Sequence, residues 1–566
     1  MLMVVGLPNK WYKYKVFLLE GIKVREVLNF RESREEGYIL EKQLLFNREV
    51  FVYKNRPKSI DDMLKRTAGK YPNKEAIITD NVRLTYSELI ESTEQVALHL
   101  QHYYKLQKGD RVALLIGNKL EFVQMFLACA TLGIITVPLN IRSSEEELIY
   151  MLNHADVSLI CADSDYRNVV EIWQRKDESQ SAIFLEQTSN TFNSELFASI
   201  FDKNYDHVTL QKPNVHEEDP LYIIFTSGTT GLPKGAIGSH VNVIHSALNY
   251  NKILKLPEET RTLIAVPLFH VTGLIGQLFY MMLIGGTSVL MQNYQTEQFL
   301  KRIEEERITF LFNVPAIYIM MLNHRTFDNT NVSTLKTIAY GGAPMSQETI
   351  EHLMEKLPDI FLHNAYGATE TSSPATIMPQ QQYEDIVLGS VGQPVPVSEM
   401  KIIGENDEIL PPGEVGELYI KGPMIIGEYW RNDTENKKNF VDGFWKSGDM
   451  AMIDKEDFVY IMDRKKDMIN RGGEKIFSVE VENCLYEHPH ILEVAVVGVS
   501  DDIFGEAVKA FIVPKLNENV DLQNVQSFLK GKLAKYKIPE YVEIIEEMPR
   551  NAGGKILKNE LTGQSK

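Results

Sequence analysis

The chain has little cysteine: three residues in 566, Cys129, Cys161 and Cys484, with no CxxC pair and no histidine cluster at metal-ligand spacing. That excludes a disulfide framework and a zinc module, and it fits a reducing, cytoplasmic setting. Basic excess is also missing. With 59 Lys and Arg against 77 Asp and Glu the net charge is −18, which argues against nucleic acid or an anionic membrane as a general partner. Long apolar runs are scarce. The amino-terminal MLMVVGLPNKWYKYKVFLLEGI has no long apolar core after its positive residues, so no signal peptide is expected. Thr262 to Thr296 carries no Asp, Glu, Lys or Arg, but Pro267, His270, Gly273, Gly276, Gly285 and Gly286 cut it into strand and helix lengths. A spanning helix needs about 20 apolar residues, so no transmembrane span is expected. No internal repeat or low-complexity tract occurs.

What is present is ordinary globular material, 44% apolar and 24% charged, long enough for roughly three to four structural units. Residues 1–57 are charged, aromatic and weakly periodic, an extension to which no role is assigned. From Ser59 the pattern is regular, and in LTYSELIESTEQVALHL the pair Thr85 and Glu88 has capping-box spacing. Short apolar runs then alternate with helical stretches: VALLI, ITVPL, VSLICA, LYIIF, RTLIAVP, TSVLM, TFLFNVP, LKTIAYG and DIFLHNAYG. This rhythm predicts an α/β fold: a large amino-terminal domain of layered, largely parallel sheets with helices, over 58–463. Such sheets place ligands in loops at the carboxyl ends of strands. Residues 388–463 turn to short strands, a small β-rich part of that domain. Residues 464–566 read as a small, mobile α+β carboxy-terminal domain.

The strongest local signal is TSGTTGLPKG, Thr226 to Gly235, directly after LYIIF. Glycines, hydroxyls and one lysine offer backbone N–H donors and positive charge to a polyphosphate. It is not a Walker A loop, because Pro233 stands where the second glycine belongs. An ordinary glycine-rich turn is the bland alternative. Further along stand YGGAP (Tyr340 to Pro344), NAYGATE (Asn364 to Glu370, read as following the strand DIFLH), KSGDM with Asp449, DRKKD with Arg464 and Lys466, and PRNAGGKILK with Lys555. Taken singly, a Gly-Gly turn, a Thr-Glu pair or a charge run is a common structural feature.

In this order, over roughly residues 60 to 560, the motifs resemble those of the adenylate-forming superfamily of acyl-CoA synthetases, aryl-CoA ligases, firefly-type luciferases and peptide-synthetase adenylation domains. The resemblance implies ATP, Mg²⁺ and coenzyme A as ligands, and nucleotide contacts by Thr226, Ser227, Gly228, Thr229, Thr230, Gly231 and Lys234. Gly341, Gly342, Ala343, Asn364, Ala365, Tyr366, Gly367 and Thr369 would line the nucleotide. Tyr366 would stack on the adenine and Thr369 meet the α-phosphate. Glu370, with Thr226, would hold Mg²⁺, and a carboxylate beside a hydroxyl suits such a hard cation. Asp449 and Arg464 would take the ribose, Lys466 the hinge between domains, Gly472 and Gly473 the thiol path. Lys555 would be the catalytic lysine. His270, Gly342 and Gly367 would line the acyl pocket, although a buried structural histidine is an equal reading of His270. Ser447 stands where the family more often has Thr, keeping the hydroxyl.

The reaction so implied is attack of a carboxylate on the α-phosphorus of ATP, releasing pyrophosphate, then transfer of the acyl group to coenzyme A. Both partners of the first step are anionic, so preorganised positive charge is the central requirement. The Met- and Leu-rich run after His270 leans toward a fatty acid over an aryl acid such as a cinnamate, and no Asp near His270 awaits an amino group. A phosphopantetheine carrier protein is the alternative acceptor. A non-catalytic nucleotide sensor or scaffold is the alternative from outside enzymes.

Overall fold

The computed structural model describes residues 39–563 except 178, 187–193, 206, 227–231, 380–386, 388 and 551–555, together with two short strands, Val16–Leu19 and Ile22–Arg25. Two large sheets form the body. One has seven strands in the order Ser194–Leu196, Ser181–Phe184, Leu159–Ala162, Arg111–Leu115, Ile135–Pro138, Pro220–Thr226 and Lys234–Ser239. The other has nine: Gln393–Pro394, Ser373–Ile377, Phe361–Ala368, Thr337–Gly341, Phe310–Asn313, Arg261–Ile264, Thr287–Leu290, Glu75–Ile78 and Arg83–Thr85. Both are parallel through their middles and antiparallel at edges, for example where Pro220–Thr226 meets Lys234–Ser239 and Phe361–Ala368 meets Ser373–Ile377. The α/β expectation holds.

Burial on both faces explains the near-continuous apolar strands. Helix Leu120–Leu132 is buried from Phe122 to Leu132, as a helix apolar all round must be, and it belongs to a core shared by both sheets. Helix His240–Leu254 packs in the same core, and its Asn242 Nδ2 donates to Pro423 O and Ile425 O at 2.7 and 3.1 Å, tying the body to the β-rich part. Thr85 and Glu88 form the expected capping box at the start of Tyr86–His102. The charge-free stretch becomes strand Arg261–Ile264, a helical run through Val271–Gly273, Leu274–Phe279 and Tyr280–Ile284, and strand Thr287–Leu290. Among the described residues no helix is long and apolar enough to cross a membrane.

The β-rich part is a sheet of Glu399–Ile403, Gly416–Lys421, Phe444–Ile453 and Phe440–Val441, with Val459–Arg464 also on Phe444–Ile453. The carboxy-terminal unit is a second five-stranded sheet built around Ile491–Asp501 and Gly505–Pro514, covered by helices Ser478–Tyr486 and Leu522–Leu529. Part of the segment set apart as an extension belongs to the body. Leu40–Leu45 and Arg48–Tyr53 form a hairpin whose Leu45, Val50 and Val52 bury against Val241. Arg56, 2% exposed, pairs with Glu217 at 2.8 Å. An alternation of two short strands carries no sign of where the pair will dock, which is why composition left it unassigned.

Candidate functional site

The glycine-rich run lies between two adjacent antiparallel strands, with Thr226 directly opposite Lys234 in the pairing. The strands that flank it pair with each other, unlike the strand and helix that flank a Walker motif. Ser227, Gly228, Thr229, Thr230 and Gly231 lie outside the described residues, as does Lys555. Thr226 and Lys234 mark the two ends of the loop. The Lys234 ammonium is not free to await a ligand: it pairs with Glu435 of helix Asp433–Asn439 and lies 5.7 Å from the centre of the Tyr429 ring. That lysine draws the Glu435 carboxyl below its ordinary range despite burial.

The NAYGATE motif does not follow its strand as expected. Strand Phe361–Ala368 runs through Asn364, Ala365, Tyr366 and Gly367, and only Thr369–Thr371 turn, leading into the antiparallel return Ser373–Ile377. The apolar alternation stops at His363, so the extension, which depends on a partner strand, left no local mark. The reversal is tight. A Cβ on Gly367 would stand 1.7 Å from the Ser373 carbonyl oxygen, and one on Gly341 2.3 Å from that of Ala365. Gly342 has φ +79°, a left-handed value favouring glycine. Ala343 follows in the same turn, just beyond Thr337–Gly341, whose Gly341 pairs with Ala365 in the neighbouring strand.

Three predicted residues converge here. The Tyr366 hydroxyl donates to Asp449 Oδ2, and Arg464 Nε pairs with Asp449 Oδ1 at 2.9 Å. Asp449 is 5% exposed. The Asp449 N–H donates to Ser447 Oγ at 3.0 Å, and Ser447 donates to Leu418 O at 2.7 Å, so the retained hydroxyl has a positioning task. Burial, with Asp449 beside it, holds the Tyr366 phenol well above its usual range. The Asp449 carboxylate raises the Arg464 guanidinium further. Next along the chain, Glu370 Oε1 accepts from the Tyr429 hydroxyl at 2.9 Å, and Trp445 Nε1–H donates to that hydroxyl at 3.4 Å. Tyr429 and Glu435 were not anticipated: a lone Tyr in IGEYW and a Glu in a short polar helix carry no motif.

His270 precedes helix Val271–Gly273, its Nε2 out of solvent and without a hydrogen-bond partner. Burial, assisted by the Arg142 charge, pushes its imidazole down to about 4, so it is neutral at physiological pH. The Met- and Leu-rich run is core: Ile275, Leu278, Met281 and Met282 are buried. Beneath the Gly341–Gly342 turn lies the Phe312 ring, 3.5 Å from a Cβ on Gly341 and 2.7 Å from one on Gly276. Tyr250 meets Phe312 edge-on at 5.7 Å, stacks on Tyr280, and shares a 2.8 Å hydrogen bond with Ser373.

Lys466 is exposed in the turn after Val459–Arg464. Lys465 still belongs to the body, its N–H donating to Gly448 O at 2.9 Å, whereas Ile469–Arg471 pairs into the carboxy-terminal sheet. Gly472 and Gly473, with φ +60° and +92°, turn that strand into Glu474–Ile476, and Gly472 N–H donates to Phe504 O at 2.7 Å. Among the described residues no group of three or more His, Cys, Asp or Glu gathers to hold a metal. One carboxylate, Glu370, nevertheless suits Mg²⁺, which keeps most of its ligands as water and phosphate oxygen.

The family model described as AMP-binding enzyme matches residues 64–430, and that described as AMP-binding enzyme C-terminal domain matches 480–555. The chain belongs to the AMP-binding enzyme family. A 2-succinylbenzoate–CoA ligase of Bacillus licheniformis is 32% identical over 500 residues, covering 88% of this chain and 98% of its own. A long-chain-fatty-acid–CoA ligase of Escherichia coli is 30% identical over 540 residues, covering 90% and 95%. Among solved structures, the o-succinylbenzoate CoA synthetase of Bacillus subtilis with its acyl-adenylate intermediate has a TM-score of 0.77 at 29% identity, covering 88% of this chain and 97% of that one. The same enzyme is also solved with ATP and magnesium ion.

Proposed function

We propose that this AMP-binding enzyme is an acid–thiol ligase that converts a carboxylic acid and ATP to acyl-adenylate and pyrophosphate, then passes the acyl group to coenzyme A. The observation that carries the reading is the meeting of Tyr366, Asp449 and Arg464 at the end of the nine-stranded sheet, one turn from Glu370. In this reading Asp449 and Arg464 hold the ribose and Tyr366 presents its ring to the adenine, oriented by the hydroxyl bond. The hairpin between Thr226 and Lys234 surrounds the phosphates, and Glu370, steadied by Tyr429, holds Mg²⁺. The bound cation would neutralise charge on the phosphate oxygens during in-line displacement. Lys234 would leave Glu435 for phosphate when ATP arrives. Lys555 would stabilise the negative charge between the attacking carboxylate and the α-phosphate. His270, neutral by burial, would offer Nε2 as a hydrogen-bonding group toward the acid. Lys466 is the pivot about which the carboxy-terminal unit turns between half-reactions, bringing the Gly472–Gly473 turn to the thiol path. The three free thiols support a reducing, cytoplasmic setting.

The acid is the finer question. The argument for a fatty acid leaned on side chains that are now spent on the core. A second reading, a compact aromatic or short branched acid, is favoured by the aromatic cluster of Phe312, Tyr250 and Tyr280, whose Phe312 ring lies 3.5 Å from a Cβ on Gly341. We adopt it. The test is pyrophosphate release from a panel of benzoates, cinnamates and fatty acids of increasing length, with and without coenzyme A. Release that needs an acid and yields a coenzyme A thioester supports the ligase. A preference for tails beyond about ten carbons would overturn the compact pocket, since that length far exceeds a ring. Adenylate without any thioester would point to a carrier-protein acceptor. Lys555→Ala is expected to abolish adenylate formation and leave thioester formation from supplied acyl-adenylate much less affected.

A further inference from the structure

Asp463 is the last residue but one of Val459–Arg464, two places before the turn that carries Lys466, and its pairing partner Met450 belongs to the body. Yet its carboxylate, in a residue 2% exposed, is engaged with the other side of that turn. Oδ2 accepts the Ser478 N–H at 2.5 Å, while Oδ1 accepts its neighbour Arg464 N–H at 2.7 Å. Ser478 opens helix Ser478–Tyr486, which has no side-chain cap of its own, so Asp463 supplies an anion to an unsatisfied helix N-terminus from a different unit. The same serine receives a second partner. Lys558 Nζ donates to Ser478 Oγ at 2.6 Å and pairs with Glu482 Oε1 at 2.7 Å, and Glu482 also accepts the Val496 N–H at 2.7 Å. Burial opposes charge on all three groups: it raises the Asp463 and Glu482 carboxyls, and chiefly Glu482 and Asp463, with Asp467 beyond them, keep the Lys558 ammonium raised against it.

Nothing else of comparable strength joins the two units among the described residues. Their apolar clusters are separate: the carboxy-terminal ones contain only residues from Ile469 onward. The ion pairs across the junction, Lys475 with Glu405 and Lys515 with Glu348, are exposed, and exposed pairs contribute little. The carboxy-terminal side also leads toward the reacting lysine. Lys558 stands three residues after Lys555, and the chain flanking 551–555 is pinned by the Arg550–Ile556 bridge and by Leu557 N–H on Pro549 O at 2.8 Å.

We propose that Asp463, Ser478 and Lys558 form a latch across the hinge that holds the carboxy-terminal unit in the orientation seen here. Turning about Lys466 carries Ser478, Glu482 and Lys558 away together and leaves Asp463 behind. The latch therefore biases the equilibrium between the two half-reaction states without touching either substrate. Asp463 and Lys558 are positioning residues. The inference rests on the hinge assignment made above, and the experiment separates the two.

The full-length protein, without substrates, is exposed to limiting trypsin, and cleavage after the exposed Lys465 and Lys466 is timed for Asp463→Ala, Lys558→Met and Lys558→Arg. The two half-reactions are then measured separately, as ATP–pyrophosphate exchange and as thioester formation from supplied benzoyl-adenylate. Breaking a buried charge contact is expected to raise cleavage about fivefold or more in Asp463→Ala and Lys558→Met. The same two variants should shift the ratio of half-reaction rates by a similar factor in one common direction, and the double variant no further than either single. Lys558→Arg should stay within about twofold of the parent, because it keeps the charge and the donors. Unchanged cleavage, an unchanged ratio, or shifts in opposite directions would overturn the latch. If Lys466→Pro moves the ratio while the latch variants do not, the latch alone fails. If Lys466→Pro also leaves it untouched, the alternation itself fails.

Discussion

Tyr366→Phe removes one oxygen from the centre of the site and keeps the ring. That hydroxyl donates to Asp449, a carboxylate 5% exposed whose other oxygen is held by Arg464 Nε at 2.9 Å. A hydrogen bond to a charged group contributes about 1.5–3 kcal/mol net. Because Arg464 still neutralises Asp449 in the variant, the lower end applies, about 1.5 kcal/mol. At about 1.4 kcal/mol per factor of ten, ATP should bind roughly tenfold more weakly. The loss is of uniform binding, so KM for ATP should rise by about 5- to 20-fold while kcat changes by less than about threefold. Pyrophosphate exchange at saturating acid over a range of ATP concentrations gives both constants, and calorimetry of ATP binding without acid gives the affinity directly. Tyr366→Leu, which loses the ring as well, should cost a further 1–3 kcal/mol or so of base stacking. An unaltered ATP affinity in Tyr366→Phe, or a fall in kcat with KM constant, would refute the idea that this hydroxyl sets the nucleotide face through Asp449.

Gly367→Ala places a Cβ 1.7 Å from the Ser373 carbonyl oxygen; a backbone shift of about 1 Å at this reversal should lower adenylate formation by about 100-fold, and activity within tenfold of the parent would contradict it. Glu370→Gln should raise the Mg²⁺ concentration needed for half-maximal pyrophosphate release by at least about tenfold, a shift absent if another group holds the cation. Burial keeps His240, His270 and His363 down to about 4 and His245 down to about 3. Since the unfolded chain binds these protons more readily, stability is full above pH 6.5 and lost as pH falls from there toward 4. Each neutral histidine should cost roughly 1.4 kcal/mol at pH 5.5. The melting temperature should therefore drop between pH 7.5 and 5.5, and His363→Gln should narrow the drop; an equal drop in the variant would exclude this cause.

Much of the site was legible because its chemistry is local. The glycine-rich run after LYIIF announces itself by residue type, whereas the Gly-Gly turn after LKTIAY and Asp449 and Arg464 in short polar segments take their meaning from the order of the motifs. Their convergence was legible only through the resemblance, because the contact of Tyr366 with Asp449 spans 83 positions. What escaped notice depends on pairing at a distance. The return strand Ser373–Ile377 extends Phe361–Ala368 beyond its apolar part, and the hairpin Leu40–Leu45 with Arg48–Tyr53 acquires meaning only where Val241 meets it. Tyr429 and Glu435 reach Glu370 and Lys234 from a segment whose local pattern is that of an ordinary polar loop. The aliphatic run after His270 does not decide the acid for a related reason: helix-spaced Leu and Met are written alike whether they face a ligand or a core.

Strand Lys234–Ser239 is the outermost member of its sheet, yet it is not bare. Gly235 O accepts the Trp430 N–H at 2.7 Å, Ile237 N–H donates to Glu428 O at 3.2 Å, and Ala236 bridges to Tyr429. The segment from 428 to 430 thus acts as a selvedge for the hairpin of Pro220–Thr226 and Lys234–Ser239. A chain ended near residue 415, before this border is supplied, would expose a row of unpaired amides and carbonyls beside Ile237, a template for joining strands of separate molecules. Such a fragment should precipitate even with both large sheets intact in sequence, whereas one ended just after the helix at Asp433–Asn439 would keep its edge covered.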